Sequence, residues 1–262
     1  MRKIVRFAGA AAVCALIQGG AIAVTASQAA HGMLNTAAHL KVWNDSVTST
    51  NWSGYGVQTT TGAKFTGVSG SWVEPKVTCT SGTQYSSFWV GIDGYASNSV
   101  EQLGTDSDCH GATAKYYAWW EMFPAASVSL SSTKYPVKSG DTLTASVSVS
   151  GEKFTLSITS SRGWTFTTVK TGTSALKQSS AEWIAESPEV GGSLAKLANF
   201  ATVGFTNSTA ALSGGASEPI SSFTAKGGPH AITMVTGGGV TRAAPSTLNG
   251  SGNGFTVTWH HR

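Results

Sequence analysis

The chain has 262 residues, enough for one large core, and an all-β domain of this length need not be divided. Only 11% of residues are charged while 10% are aromatic and 31 are glycine, a profile that excludes a disordered or mainly helical protein and fits a secreted β-protein. Setting aside Arg2, Lys3 and Arg6, which head the leader described next, lowers the formal charge from +4 to +1 and removes the argument for a nucleic-acid partner.

Those three basic residues precede the apolar run AGAAAVCALI, and small residues follow through ASQAA. This is the pattern of a secretory signal peptide over residues 1–30, with cleavage between Ala23 and Ala30. Gln18, Gly19 and Gly20 interrupt the run short of the roughly 20 apolar residues that a spanning helix needs, so no membrane association is expected after cleavage. Residues 31–49 carry no defensible period and read as a short propeptide or linker. The folded domain is expected over 50–262, opening with a strand at Trp52 in NWSGYGVQ and continuing through AKFTGVSGSWVEP to a turn after Pro75. Cys14 falls in the leader, which leaves Cys79 and Cys109 as the candidate disulfide of an oxidising compartment. A catalytic thiol is the weaker reading, since neither a Cys-x-x-Cys spacing nor a recognisable histidine partner accompanies them.

The stretch from Ser86 to Pro124 threads polar groups between large aromatics. With the two-residue period of a strand, Trp89, Gly91 and Asp93 point one way and Phe88, Val90 and Ile92 the other. Tyr117, Trp119, Glu121 and Phe123 share a face in the same manner, as do Glu182, Ile184 and Glu186 in SSAEWIAESP. Beyond Pro124 the alternation is nearly unbroken. Leu143, Ala145, Val147 and Val149 predict one strand, Ser150-Gly151 a turn, and Phe154, Leu156 and Ile158 the strand back. FATVGF, HAITMVT and GFTVTWHH predict further strands, and SLAKLANF is the one helix-like stretch. Many alternating strands without a strand-helix-strand rhythm imply an all-β sandwich of two antiparallel sheets.

No phosphate loop, His-Glu-x-x-His zinc motif or Gly-x-Ser-x-Gly elbow is present, and the histidines lie near the termini or beside glycine and proline in expected loops. Carboxylates, amides and tryptophans on one sheet face remain. A carboxylate among rings is partly desolvated, which raises its pKa and suits it to proton transfer.

The runs FWVGIDG, VEQLGTDSD, YYAWWEMFP, SSAEWIAESP and LANFATVGFTNS, in order across most of Asn51 to Arg262, together resemble the glutamic peptidase family, the eqolisins. The resemblance implies a lectin-like (concanavalin-type) sandwich and a secreted acid endopeptidase whose catalytic pair is a glutamine and a glutamate. By motif position these fall on Gln102 and Glu186, with Trp89, Asp93, Asp106, Trp119 and Glu121 at supporting cleft positions. It further implies a polypeptide substrate, a monomer, and neither metal nor cofactor. In this reading Glu186 takes a proton from water and returns it to the leaving nitrogen, while Gln102 orients the water and holds the oxyanion. The fungal members are acidic and carry a sizeable basic propeptide, whereas this chain is nearly neutral once its leader is removed.

Two other classes compete. Glu182 and Glu186 are spaced like the acid pair on one strand of lectin-like glycoside hydrolases, although Ile184 stands where such enzymes commonly place a further acid. A non-catalytic carbohydrate- or peptide-binding module could use the aromatic face with no need for Gln102 or Glu186.

Overall fold

The computed structural model describes residues 41–43, 46–60, 62–95, 97–173 and 176–262. The leader expected over 1–30 and the first part of the expected propeptide lie outside the described residues. No helix among the described residues is long and apolar enough to cross a membrane.

Alternating sequence becomes strand. The principal strands are β1 Trp52–Gln58, β2 Phe65–Val73, β3 Ser87–Ile92, β4 Val100–His110 and β5 Thr113–Phe123. They continue with β6 Thr142–Ser150, β7 Lys153–Ser160, β8 Thr165–Thr171 and β9 Ser180–Glu186. The last are β10 Thr202–Leu212, β11 His230–Val235, β12 Thr241–Pro245 and β13 Phe255–Trp259. The expected β6-turn-β7 meander is present, with Leu143 opposite Ser160 and Ser150 opposite Lys153. SLAKLANF is not helical: Ser193–Leu194 pairs with Glu189–Val190, and Leu197, Ala198 and Phe200 are buried in extended chain. Burial of those apolar residues, rather than local propensity, fixes that segment.

Hydrogen bonds run in one ladder, β5-β4-β3-β9-β1-β11-β12-β13-β10-β2-β6-β7-β8, and every step along it is antiparallel. Ser46–Ser49 runs parallel beside β11. The ladder folds back so that β3 and β4 lie over β6, and β9 lies over β2. Phe88, Val90, Leu103 and Trp183 from one layer meet Val68, Trp72, Val147 and Leu156 from the other in the main core. The Trp183 indole donates to the Ser69 carbonyl across the two layers at 2.7 Å. In β3 and β9 every residue is buried, and in β4 all but the last. Both faces of these strands are therefore covered, one by the sandwich core and the other by a second apolar cluster of Trp52, Trp89, Trp119, Ile184 and Ile232.

Cys79 and Cys109 form a disulfide, with their Cα atoms 5.3 Å apart. It ties the loop after β2 to the end of β4, and closing a loop of this length is worth about 3 to 4 kcal/mol in the chain-entropy account.

One carboxyl lies between the layers. Glu74, directly after β2, accepts from the hydroxyls of Thr105 and Ser107 and from the Trp72 indole. Burial pushes its pKa up to about 8 in spite of those donors, with the field of Asp106 adding to the rise. A carboxyl raised in this way holds its proton more tightly in the folded than in the unfolded chain. Its stabilising contribution is present at low pH and is lost as pH climbs from 4.5 toward about 8. Thermal unfolding midpoints are expected to fall over that interval. Glu74→Gln, which keeps the shape but cannot ionise, is expected to flatten the fall, leaving a residual slope from Glu101, whose pKa is pushed up to about 9 mainly by burial, and from Glu182, which burial also drives well up. Identical slopes for the two proteins in a melting series would place the lability elsewhere.

Candidate active site

The outer face of β5-β4-β3-β9-β1 is ordered by register into rows across the strands. One row reads Glu121, Gln102, Gly91, Glu182, Gly56; the next, Trp119, Gly104, Trp89, Ile184, Gly54; the third, Tyr117, Asp106, Ser87, Glu186, Trp52. Gln102, Trp89, Trp119, Asp106, Glu121 and Glu186 thus share one face, as the strand period predicts. Gln102 and Glu186 stand on either side of β3, offset along it by the Trp89 row.

Trp89 fills the space between those rows. A Cβ added to Gly91 would come within 3.1 Å of its ring, and one on Gly104 would stand 2.6 Å from its Cβ and 2.1 Å from the Phe88 carbonyl oxygen. Glycine at both positions lets the large side chain lie close to the sheet. Its Nε1 then donates to Glu186 Oε2 at 2.7 Å, and Asn51 Nδ2 donates to Glu186 Oε1 at 3.3 Å. The Trp52 ring packs edge-on against Trp89 with centroids 5.0 Å apart. Glu186 is 2% exposed, so these donors stand in for water that would otherwise solvate its charge.

Gln102 Nε2 donates to Glu121 Oε2 at 2.6 Å, and both residues are buried. That bond fixes the amide: Nε2 is the end toward Glu121, and Oε1 is a buried acceptor that no donor among the described residues reaches. Asp106 Oδ2 accepts from the Tyr117 hydroxyl at 2.7 Å, and the same hydroxyl lies 2.9 Å from Asp108 Oδ2. Burial and these two acids hold the Tyr117 phenol well above its ordinary pKa.

Asp93 departs from the expected placement on the Trp89 and Gly91 face. Its backbone turns into the left-handed region at φ 68°, just past the end of β3, while its N–H still donates to the Ser180 carbonyl at 3.0 Å. Its carboxylate accepts from the backbone N–H groups of Gln178 and Ser179 at 2.6 and 2.8 Å and from the Ser179 hydroxyl at 3.1 Å. Asp93 therefore anchors the segment that leads into β9 and makes its bonds there. Its charge also bears on Glu182, which lies fully buried near Tyr95. Burial foremost, with the fields of Asp93 and Glu101, drives the Glu182 pKa well up; Ser180 and the Tyr95 backbone approach its carboxyl without completing hydrogen-bond geometry. The two acids of AEWIAE, which the strand period cannot separate, so occupy opposite environments. His230, expected in a loop, opens β11 and stacks on Tyr95 at 5.2 Å.

Asn51, Asp108 and Arg242 also belong to this region and carry no distinctive sequence signal beyond the adjacency of Asn51 to Trp52, whereas Tyr117 lies on the face that alternation predicts. No cluster of ligating side chains fit for a metal ion occurs among the described residues.

Residues 50–259 match the Peptidase A4 family. Aspergillopepsin-2 of Aspergillus niger is 32% identical over 133 residues, covering 49% of this chain and 46% of that protein, so the match spans about half the length of this curated relative. Among solved structures, scytalido-glutamic peptidase with a transition state analog inhibitor superposes with a TM-score of 0.68 at 21% identity, over 80% of this chain and 98% of that one. Aspergilloglutamic peptidase from Aspergillus niger superposes with a TM-score of 0.56 at 25% identity, over 68% and 99%. Both relatives share the β-sandwich seen here.

The glycine beneath Trp89 gives a direct test of this packing. Gly104→Ala drives a methyl into a backbone carbonyl that cannot move aside, and is expected to destabilise the fold by about 3 kcal/mol or more. An unfolding midpoint unchanged in denaturant would show that the close approach is not required.

Proposed function

The chain belongs to the Peptidase A4 family, a family of peptide-bond hydrolases, and from that premise we propose that it is a secreted endopeptidase in which Glu186 and Gln102 act together on a polypeptide. The observation that carries this reading is the placement of the two groups on one sheet face: Glu186 is held by the donors of Trp89 and Asn51, and Gln102 is turned by Glu121 so that its carbonyl oxygen is free. Free Oε1 accepts a hydrogen from the attacking water. Glu186, ionised, takes the proton as the water oxygen adds to the peptide carbonyl carbon. The second N–H of Gln102 Nε2, the one not given to Glu121, faces the oxyanion that forms. Collapse of the tetrahedral species breaks the C–N bond as Glu186 returns its proton to the leaving nitrogen, and the acid and amine products depart with the glutamate ionised again.

Trp89 and Trp119 wall the cleft, and Asp106 is fixed by Tyr117 in the row of Glu186. Export rests on the leader pattern over residues 1–30 and agrees with the Cys79–Cys109 disulfide. The glycosidase alternative lacks its middle acid, because buried Ile184 stands between Glu182 and Glu186. The chain is read as a monomer that needs no cofactor.

Glu186→Gln is expected to abolish hydrolysis of a denatured protein substrate with the circular-dichroism spectrum unchanged, and Glu182→Gln to have a milder effect; the reverse order would transfer the base to Glu182. Gln102→Ala removes both the water acceptor and the oxyanion donor, and is expected to lower kcat by at least about 10² to 10³. A near-normal kcat with only a raised KM would make Gln102 a substrate contact.

The pH dependence is a separate test. Glu186 works ionised, while a second carboxyl of the site stays protonated, so kcat/KM is expected to peak on the acid side of neutrality. Activity that stays level through neutral pH into alkali would contradict a carboxyl-centred site.

A further inference from the structure

Ser49, Asn51 and Arg242 are each at most 4% exposed at the Glu186 end of the sheet face, and the proton transfers just described use none of them. Their hydrogen bonds have a fixed direction. The Ser49 hydroxyl oxygen accepts from the backbone N–H groups of Asn51 and Trp52 at 3.3 and 3.1 Å, so its single hydrogen goes to Asn51 Oδ1 at 2.9 Å. With Oδ1 taken, the end of the amide that meets Glu186 Oε1 is the donor Nδ2. The backbone here is clamped as well. Arg242 on β12 donates through one terminal nitrogen to the Thr50 carbonyl at 3.0 Å, and through the other to the Ser187 hydroxyl and the Ala195 carbonyl at 3.1 and 3.0 Å. Ser187 N–H donates to the Asn51 carbonyl at 2.8 Å. One buried guanidinium thus ties the residue before Asn51 to the residue after Glu186.

We propose that Asn51 is a positioning residue for Glu186, with Ser49 setting the direction of its amide and Arg242 its place. The inference rests on Glu186 being the base. A donor on the ionised form favours ionisation, so Asn51 keeps Glu186 competent at lower pH than burial alone would allow. The other charged and titratable groups toward this end of the face are Asp106 across Ser87, Tyr117 and Asp108 behind it, and Arg242 beyond Ser187; substitutions at Asn51 and Ser49 leave all of them in place.

The test compares full pH profiles of Asn51→Ala, Ser49→Ala, Arg242→Lys and Glu186→Gln on a denatured protein substrate, each with a melting curve. Asn51→Ala is expected to move the acid limb of kcat/KM upward by about one pH unit, the worth of one hydrogen bond to a charged group. It is also expected to lower kcat about tenfold to a hundredfold with KM little changed, as for a misplaced reacting group. Ser49→Ala frees the amide to turn and should shift the limb in the same direction by less. Arg242→Lys keeps the charge but loses the fork and should lower kcat. If Asn51→Ala melts below the assay temperature, the Ser49→Ala limb decides. An acid limb and kcat like those of the parent in both Asn51→Ala and Ser49→Ala, with Glu186→Gln inactive, would overturn this inference alone. Turnover retained by Glu186→Gln would overturn the assignment of the base and this inference with it.

Discussion

A carboxyl buried beneath tryptophan rings needs donors to replace the water it has lost, and the bond from Trp89 Nε1 to Glu186 supplies one here. An unpaired buried charge costs several kcal/mol, enough to neutralise the group or unfold a marginal domain. The direction of the indole depends in turn on Gly91 and Gly104, which leave room for it, and on the register that sets Trp89 opposite Ile184. A slip of one residue in the β3–β9 pairing would send Trp89 or Glu186 to the other face. Sheet register, glycine placement and site electrostatics are therefore one constraint.

The buried acids are sorted by what surrounds them. Glu186 meets the donors of Trp89 and Asn51, Glu74 has three donors inside the core, and the pKa values of Glu182 and Glu101 are raised foremost by burial and further by the field of Asp93. The same side chain thus meets directed donors in one place and is made to keep its proton in another, within one sheet and its reverse face. This sorting also explains why a chain with so few charges buries several of them: each has a defined electrical setting.

Much of this was legible in the sequence, for a physical reason. A strand declares its faces through a period of two, so the furnished face of Trp89, Gln102, Glu121 and Glu186 could be read from alternation and motif order. Departures arose where another force outweighed the period. A left-handed turn at Asp93 breaks the alternation where β3 ends, and tertiary burial keeps SLAKLANF extended. Asn51, Glu74 and Arg242 left no trace because their importance is wholly a matter of partners distant in the chain: Glu74 reads as the end of a strand, and Arg242 as a solvated cation. The choice of Glu186 over Glu182 came from motif order, since both lie on one face.

The position of β9 carries a consequence for how such a chain comes into being. It is a central strand, yet it is synthesised long after β1 and β3, the two strands it joins. Until it inserts, β1 and β3 have open inner edges, and the two halves of the cleft have no common floor. Contacts of this sequence separation form late and slowly, because loop closure must precede any gain from them. An unfinished chain therefore lacks the assembled sheet face, and hydrolytic capacity arrives only with the closed sandwich. Topology itself delays the chemistry until the fold that must withstand it is complete.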